Sequence, residues 1–143
     1  MYAALMSDDF TQCLVTNSRM AARAITRRYD RYLRGFGVTS TQLSLLAAIR
    51  DLGGRTVSDL AEFRGFDRTT LTRNLDRLEA MGLIESHAAE RGNGRICTMT
   101  AKGQNMMQEL LPAWRQAQAE MRTLLGGDDF DETLRVLKQL AHV

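Results

Sequence analysis

Apolar positions along the chain pass through three regimes: helical spacing, a short stretch of alternation, and helical spacing again. At about 100° per residue, Leu14, Ser18, Ala21, Ile25, Tyr29 and Tyr32 share one narrow sector, while Arg19, Arg23, Arg27, Arg31 and Arg34 lie roughly opposite. This predicts an amphipathic first helix from Asp8 to Arg34 with one packing face and one row of guanidiniums. Thr39-x-x-Gln42 has the form of a capping box, and it precedes a mostly apolar helix through Leu43, Leu46, Ala47 and Ile49 to Leu52. Gly53-Gly54 ends that helix. Thr56-x-x-Asp59 then caps a short helix with Leu60 and Ala61 inward, and Arg64-Gly65-Phe66 makes a turn. Asp67 is placed to cap the next helix, whose buried side is Leu71, Leu75, Leu78 and Met81. Gly82 stops it, with Leu83 closing the C-terminal motif.

The period changes at Ile84. Residues 84–88 and 95–99 are short, partly alternating stretches separated by Gly92-Asn93-Gly94, the signature of a hairpin with a tip tolerant of left-handed backbone. Thr100 caps a long helix from Ala101 to about Leu125, and Pro112 inside it removes one backbone hydrogen bond and should bend it. Gly126-Gly127 breaks the chain, and Asp128 or Asp129 starts a final helix carrying Phe130, Leu134, Leu137 and Leu140. The fold class is mainly α with a small β-hairpin wing: a winged helix-turn-helix lobe plus a helical region.

Composition narrows the function classes. At 143 residues with 44% apolar and 25% charged side chains, the chain can bury a core as one domain. Nineteen basic against seventeen acidic residues leave only +2, so any contact with nucleic acid has to come from placement rather than net charge. Lys102 and Lys138 are the only lysines; the arginine bias suits bidentate contacts to phosphate or carboxylate, and GC-rich coding produces it equally well. Cys13 and Cys97 show no CxxC spacing, and His87 and His142 stand alone, so neither a disulfide framework nor a metal site is expected, nor any cofactor. No apolar run reaches the roughly 20 residues of a membrane span. The opening MYAALMSDDF lacks a basic segment followed by an apolar one, so a cytoplasmic location is expected. Phosphate-binding glycine loops, GxSxG and HExxH are absent from the sequence, and no paired catalytic groups are evident, so an enzyme is not expected.

The element order places the chemistry on the helix that Asp67 caps. Opposite its leucine stripe lie Thr69, Arg73, Asp76, Arg77 and Ala80, with Arg68 and Thr72 flanking. Arginine can donate to guanine O6 and N7 together, and threonine can meet a thymine methyl or a phosphate. The helix N-terminus also points amides at phosphates. Arg68, Thr69, Thr70, Thr72, Arg73 and Arg77 are the candidate DNA contacts, with Thr69, Thr72 and Arg73 reading bases and Arg68 and Arg77 on phosphates or the groove edge. The alternative is a solvated face holding pairs such as Asp76 with Arg73. On the hairpin, Arg91, Asn93 and Arg95 are the candidates for a narrow minor groove, against an ordinary hairpin that needs only its glycines.

These motifs resemble the MarR family of bacterial transcription regulators over nearly the whole chain. The matching pieces are Thr39-x-x-Gln42-x-x-Leu45-Leu46, Leu60-Ala61-Glu62, the run Asp67 to Glu79, Met81-Gly82-Leu83-Ile84 and Met99-Thr100-x-x-Gly103, flanked by Arg23-Ala24, Tyr29-Asp30 and Leu111-Pro112-x-Trp114. The resemblance implies one domain over residues 1–143. Residues 8–36 and 101–143 would form a helical dimerisation region and 39–100 the DNA-binding lobe. The partners it implies are double-stranded DNA, a second copy of the chain, and a small, often aromatic or phenolic, effector that releases a repressor from a palindromic operator. Family wings carry Asp-x-Arg shortly before the second strand, and here those two places hold Arg91 and Asn93. Either the wing is shifted, with Glu90-Arg91 or Arg95 substituting, or its contact is weaker. The apolar residues of the outer helices, among them Phe10, Leu14, Trp114, Leu124 and Leu137, exceed what a small lobe covers, which favours a symmetric partner over folding back as a monomer.

Three further features have two readings each. Oxidation-sensing members of the family place a reactive thiol about where Cys13 lies. Reactivity needs a nearby base, tyrosine hydroxyl or positive helix end, and nothing from Phe10 to Asn17 clearly supplies one, so Cys13 is either a redox candidate or a buried structural residue. The arginine row of the first helix is either a phosphate or carboxylate contact or a solvated face. Met106, Met107 and Met121 line a plastic ligand pocket or fill core; Cys97, on a strand, reads as core. A winged helix that meets acidic proteins through Arg73 and Arg77 is the remaining alternative function.

Overall fold

Among the described residues six α-helices and a two-stranded hairpin follow one another as α1 (Leu14–Leu33), α2 (Ser40–Asp51), α3 (Val57–Arg64), α4 (Arg68–Ala80), β1 (Ile84–Ala88), β2 (Arg95–Met99), α5 (Ala101–Leu125) and α6 (Gly127–Leu140). The computed structural model describes residues 8–92 and 94–143.

The capping signals are realised where the sequence places them. Thr39 with Gln42 and Thr56 with Asp59 form reciprocal boxes at α2 and α3, and the Thr100 hydroxyl accepts the Gly103 N–H at 3.1 Å at the start of α5. Threonine caps of this kind contribute about 1 kcal/mol each. Asp67 accepts the Thr70 N–H at 2.9 Å and opens α4. At the other end, Gly82 adopts φ +76° while the Leu83 N–H returns to the Leu78 carbonyl at 3.0 Å, so the chain reverses directly into β1.

Two helix starts differ from expectation. The first helix does not begin at Asp8. Asp9 caps a single 3-10 turn, Phe10–Gln12, and Cys13 is extended before α1 starts at Leu14. The Asn17 side-chain amide donates to the carbonyls of Thr11 and Cys13 at 2.7 and 2.8 Å, and the Cys13 carbonyl also accepts the Asn17 backbone N–H at 3.1 Å. Local side-chain bonds of this type compete with helix. The last helix is preceded by Gly126 rather than capped by an aspartate; Asp128 and Asp129 fall in its first turn, where they favour the helix dipole. α5 runs through Pro112 without a break.

β1 and β2 pair antiparallel from Ile84 with Met99 to Ala88 with Arg95. A further bridge joins Ile96 to Thr56, tying the hairpin to the start of α3. The core lies where α2, α3, α4 and the hairpin meet: Leu45, Leu46, Leu60, Leu71, Leu75, Leu78, Leu83 and Ile84 are all at most 1% exposed, with Leu33 and Leu110 joining from α1 and α5. Met81 lies half-buried against it, and Cys97 is buried in it. Asn74, unassigned by the sequence pattern, is buried on α4 and bonds back to the Thr70 carbonyl at 2.9 Å.

The outer helices are packed differently. α1 and α6 both lie against α5, yet Phe10, Leu14, Val15, Met20, Leu124, Leu134, Leu137 and Leu140 remain exposed.

Candidate nucleic-acid interface

α4 is held from behind by its leucine stripe and from both sides by neighbours, α3 and β1. What remains outward is a shallow concavity lined by Arg68, Thr69, Thr72, Arg73, Asp76, Arg77 and Ala80, the face the leucine periodicity leaves open. Every one of these residues is exposed. Thr70 is the exception among the sequence candidates: it does not line the concavity, and its N–H and carbonyl are taken by Asp67 and Asn74. Its position, one residue round the helix from Thr69, turns it toward the protein. Arg68 donates to the Ser58 hydroxyl at 2.8 Å, which steers it toward α3.

The charge pattern on this face shows how far its own side chains satisfy one another. The pairing of Asp76 with Arg73 does not occur. Asp76 instead accepts from Arg95 at 3.0 Å, and among the described residues Arg73 and Arg77 make no ion pair. Two guanidiniums with no acceptor therefore stand one helical turn apart beside two threonines. At the N-terminal end, the Thr70 hydroxyl and amide bonds hold the Asp67 carboxyl below the usual aspartate range, so the cap stays ionised at neutral pH.

The hairpin divides its candidates. Arg91 is exposed next to Gly92, which adopts φ +81° at the tip. Asn93 lies outside the described residues. Arg95 stands where the second stretch was expected to begin, at the start of β2, and its guanidinium donates to Ser86 Oγ at 2.9 Å, Asp76 at 3.0 Å and Glu79 at 3.0 Å. Sequence reading missed this because the acceptors are 9 to 19 residues away and meet only when the hairpin folds on α4.

Cys13 also changes character. As the residue before α1 it sits at the positive end of a helix, and the nearby Thr16 backbone N–H and hydroxyl hold its thiol below the ordinary value. Cys97 is the opposite case, its thiol pushed up by burial.

Between α1, α2 and α5 opens a cleft of about 990 Å³, lined by Tyr29, Thr41, Ala47, Met107, Gln108 and Trp114 among others. Arg50 is its one charged lining side chain, and Asp51 engages it at 2.9 Å. Across α1 and α5, Arg28 pairs with Glu120 at 2.7 Å and the Tyr29 hydroxyl donates to Gln118. Burial raises the Tyr29 phenol. Of the methionines, Met107 lines the cleft, Met106 packs on the core and Met121 is buried. Arg19, Arg23, Arg27 and Arg31 form an exposed row on α1, with Arg34, also exposed, just past its end. No helix among the described residues is long and apolar enough to cross a membrane.

A short helix, a turn, a capped helix with an open cationic face and a glycine-tipped hairpin together define a winged helix-turn-helix lobe. The comparisons agree. The MarR family model matches residues 36–96. The M. tuberculosis transcriptional regulator MosR, solved in complex with DNA, superposes with a TM-score of 0.82 at 37% identity, covering 92% of this chain and 95% of that one. A mutant of E. coli MarR complexed with operator DNA superposes with a TM-score of 0.80 at 23% identity, over 94% of this chain and 99% of that one. The B. subtilis HTH-type transcriptional regulator YwoH is 25% identical over 97 residues, 68% of this chain and 71% of its own. The chain belongs to the MarR family of DNA-binding transcriptional regulators.

Proposed function

We propose that the chain is a homodimeric repressor, acting in the cytoplasm, that reads a palindromic operator with one α4 from each copy and leaves it when a small aromatic ligand fills the cleft between α1, α2 and α5. The observation that carries the DNA reading is the unpaired state of Arg73 and Arg77 on an exposed face whose only acid is already engaged. Thr69, Thr72 and Arg73 meet base edges; Arg68 and Arg77 meet phosphates; Arg91 reaches the flanking minor groove. Support comes also from MosR, a relative that was solved on DNA. Residues 39–100 act as the DNA-binding lobe, and 8–36 with 101–143 as the dimerisation region. The exposed apolar side chains of α1, α5 and α6 give a second copy something to cover, and two-fold pairing sets the two α4 helices one DNA turn, about 34 Å, apart.

The test is a mobility shift on the DNA upstream of the chain's own gene, with and without excess nonspecific competitor. A specific shift that small aromatic compounds release supports the reading. Binding that competitor abolishes, or no binding beside capture of an acidic protein, contradicts it.

A second reading has its own observation. The lowered thiol of Cys13 at the head of α1 suits an oxidant-responsive regulator. Hydrogen peroxide should then weaken operator binding by the wild type, reversibly with thiol, and leave Cys13→Ser unaffected. An equal response in both proteins removes Cys13 from the switch.

A further inference from the structure

The contacts of Arg95 have no counterpart in the direct-contact reading of the interface. Its guanidinium uses three N–H groups at once: one on Ser86 of β1, one on Asp76 and one on Glu79 of α4, all between 2.9 and 3.0 Å. Glu79 closes the ring by accepting the Ser86 backbone N–H at 3.2 Å. Asp76 and Glu79 are three residues apart, hence neighbours on one helix surface, and the cluster touches both strands and the helix. The base of the hairpin is thus fastened to the C-terminal half of α4 by one planar, multi-donor head together with the Ser86–Glu79 bond. A lysine ammonium, a point charge on a flexible stem, cannot span the same three acceptors in fixed directions.

We propose that Arg95 is a positioning residue for DNA binding: its latch to Asp76, Glu79 and Ser86 fixes the angle of the wing relative to α4, so that the tip and the helix engage adjacent grooves together. Without the latch, β1 and β2 still pair and α4 still packs through its leucines, but the tip bearing Arg91 swings against α4, and ordering it falls on the binding step. The inference rests on α4 being the DNA-facing helix.

Two duplexes test it: the full operator, and the same operator trimmed of the flanking base pairs whose minor groove the wing reaches. R95Q is expected to weaken binding to the full duplex by about tenfold, equivalent to about 1.4 kcal/mol, and to bind the trimmed duplex as the wild type does. R95K should behave like R95Q. D76N/E79Q, which breaks the latch from the other side, should weaken the full duplex as well, and adding R95Q to it should change affinity less than about twofold. Equal weakening on both duplexes would reduce Arg95 to a general stabiliser. Wild-type affinity in R95K, with a salt slope lower by about one in R95Q, would make it a phosphate contact instead. Either result overturns the proposal. R73A serves as the reference: if it binds both duplexes like the wild type, α4 is not the reading helix, and the failure belongs to that reading rather than to the latch.

Discussion

In Arg73→Ala, operator affinity is expected to fall by about 1–3 kcal/mol, with sequence choice relaxed at the one base pair that side chain reads. The expectation follows from placement. Arg73 is exposed in the middle of the α4 face, flanked by Thr69 and Thr72, and makes no ion pair with an acid among the described residues. A guanidinium in that state is free to donate to guanine O6 and N7 as a pair. Arg77, one turn on, provides the contrast: as a phosphate contact its loss weakens all sequences about equally and lowers the salt slope by about one. Titrations of both variants on the operator and on single-base-pair changes separate the two roles. Unchanged affinity and unchanged sequence preference in Arg73→Ala would take that residue out of the interface.

Gly103→Ala is expected to be the most damaging single change to the fold, by about 3 kcal/mol or more. Alanine inside a helix ordinarily gains about 1 kcal/mol over glycine, and Gly103 sits in the first turn of α5. Here the added Cβ would stand 2.2 Å from the Leu83 carbonyl oxygen and 2.7 Å from Met99 Cγ. The nearer atom is backbone, and it accepts the Thr100 N–H at 3.0 Å, so it cannot retreat without breaking the bond that seats α5 on the start of the hairpin. Thermal or denaturant unfolding reads the effect. Stability equal to or above wild type would mean that the close approach of α5 to Leu83 does not exist in solution.

Gly103 also shows how far sequence reading goes. Its place in Met99-Thr100-x-x-Gly103 was visible, but the carbonyl that requires a missing side chain lies 20 residues earlier, at Leu83, and no local pattern reports it. Helix caps were legible because Thr39, Thr56, Asp67 and Thr100 act on amides three residues away. The outward face of α4 was legible for the same reason: Leu71, Leu75 and Leu78 fix the buried side, and the rest follows by rotation. The start of α1 at Leu14 rather than Asp8 was not legible, since the Asn17 side chain bonds back to the Thr11 and Cys13 carbonyls only in the folded turn. The partners of Arg95 were not legible because the folded hairpin brings them to it. Of the cleft, Met107 was among the lining candidates, while its other walls, Tyr29, Ala47 and Trp114, come from three separate helices and were not legible.

The central claim, that two copies present two α4 faces to one duplex, is most directly tested by the mass of the protein free in solution and on operator DNA. Sedimentation equilibrium should give two 16.1 kDa chains without DNA and the same two on one operator duplex. A single chain in solution that stays unbound to double-stranded DNA at low ionic strength would contradict it.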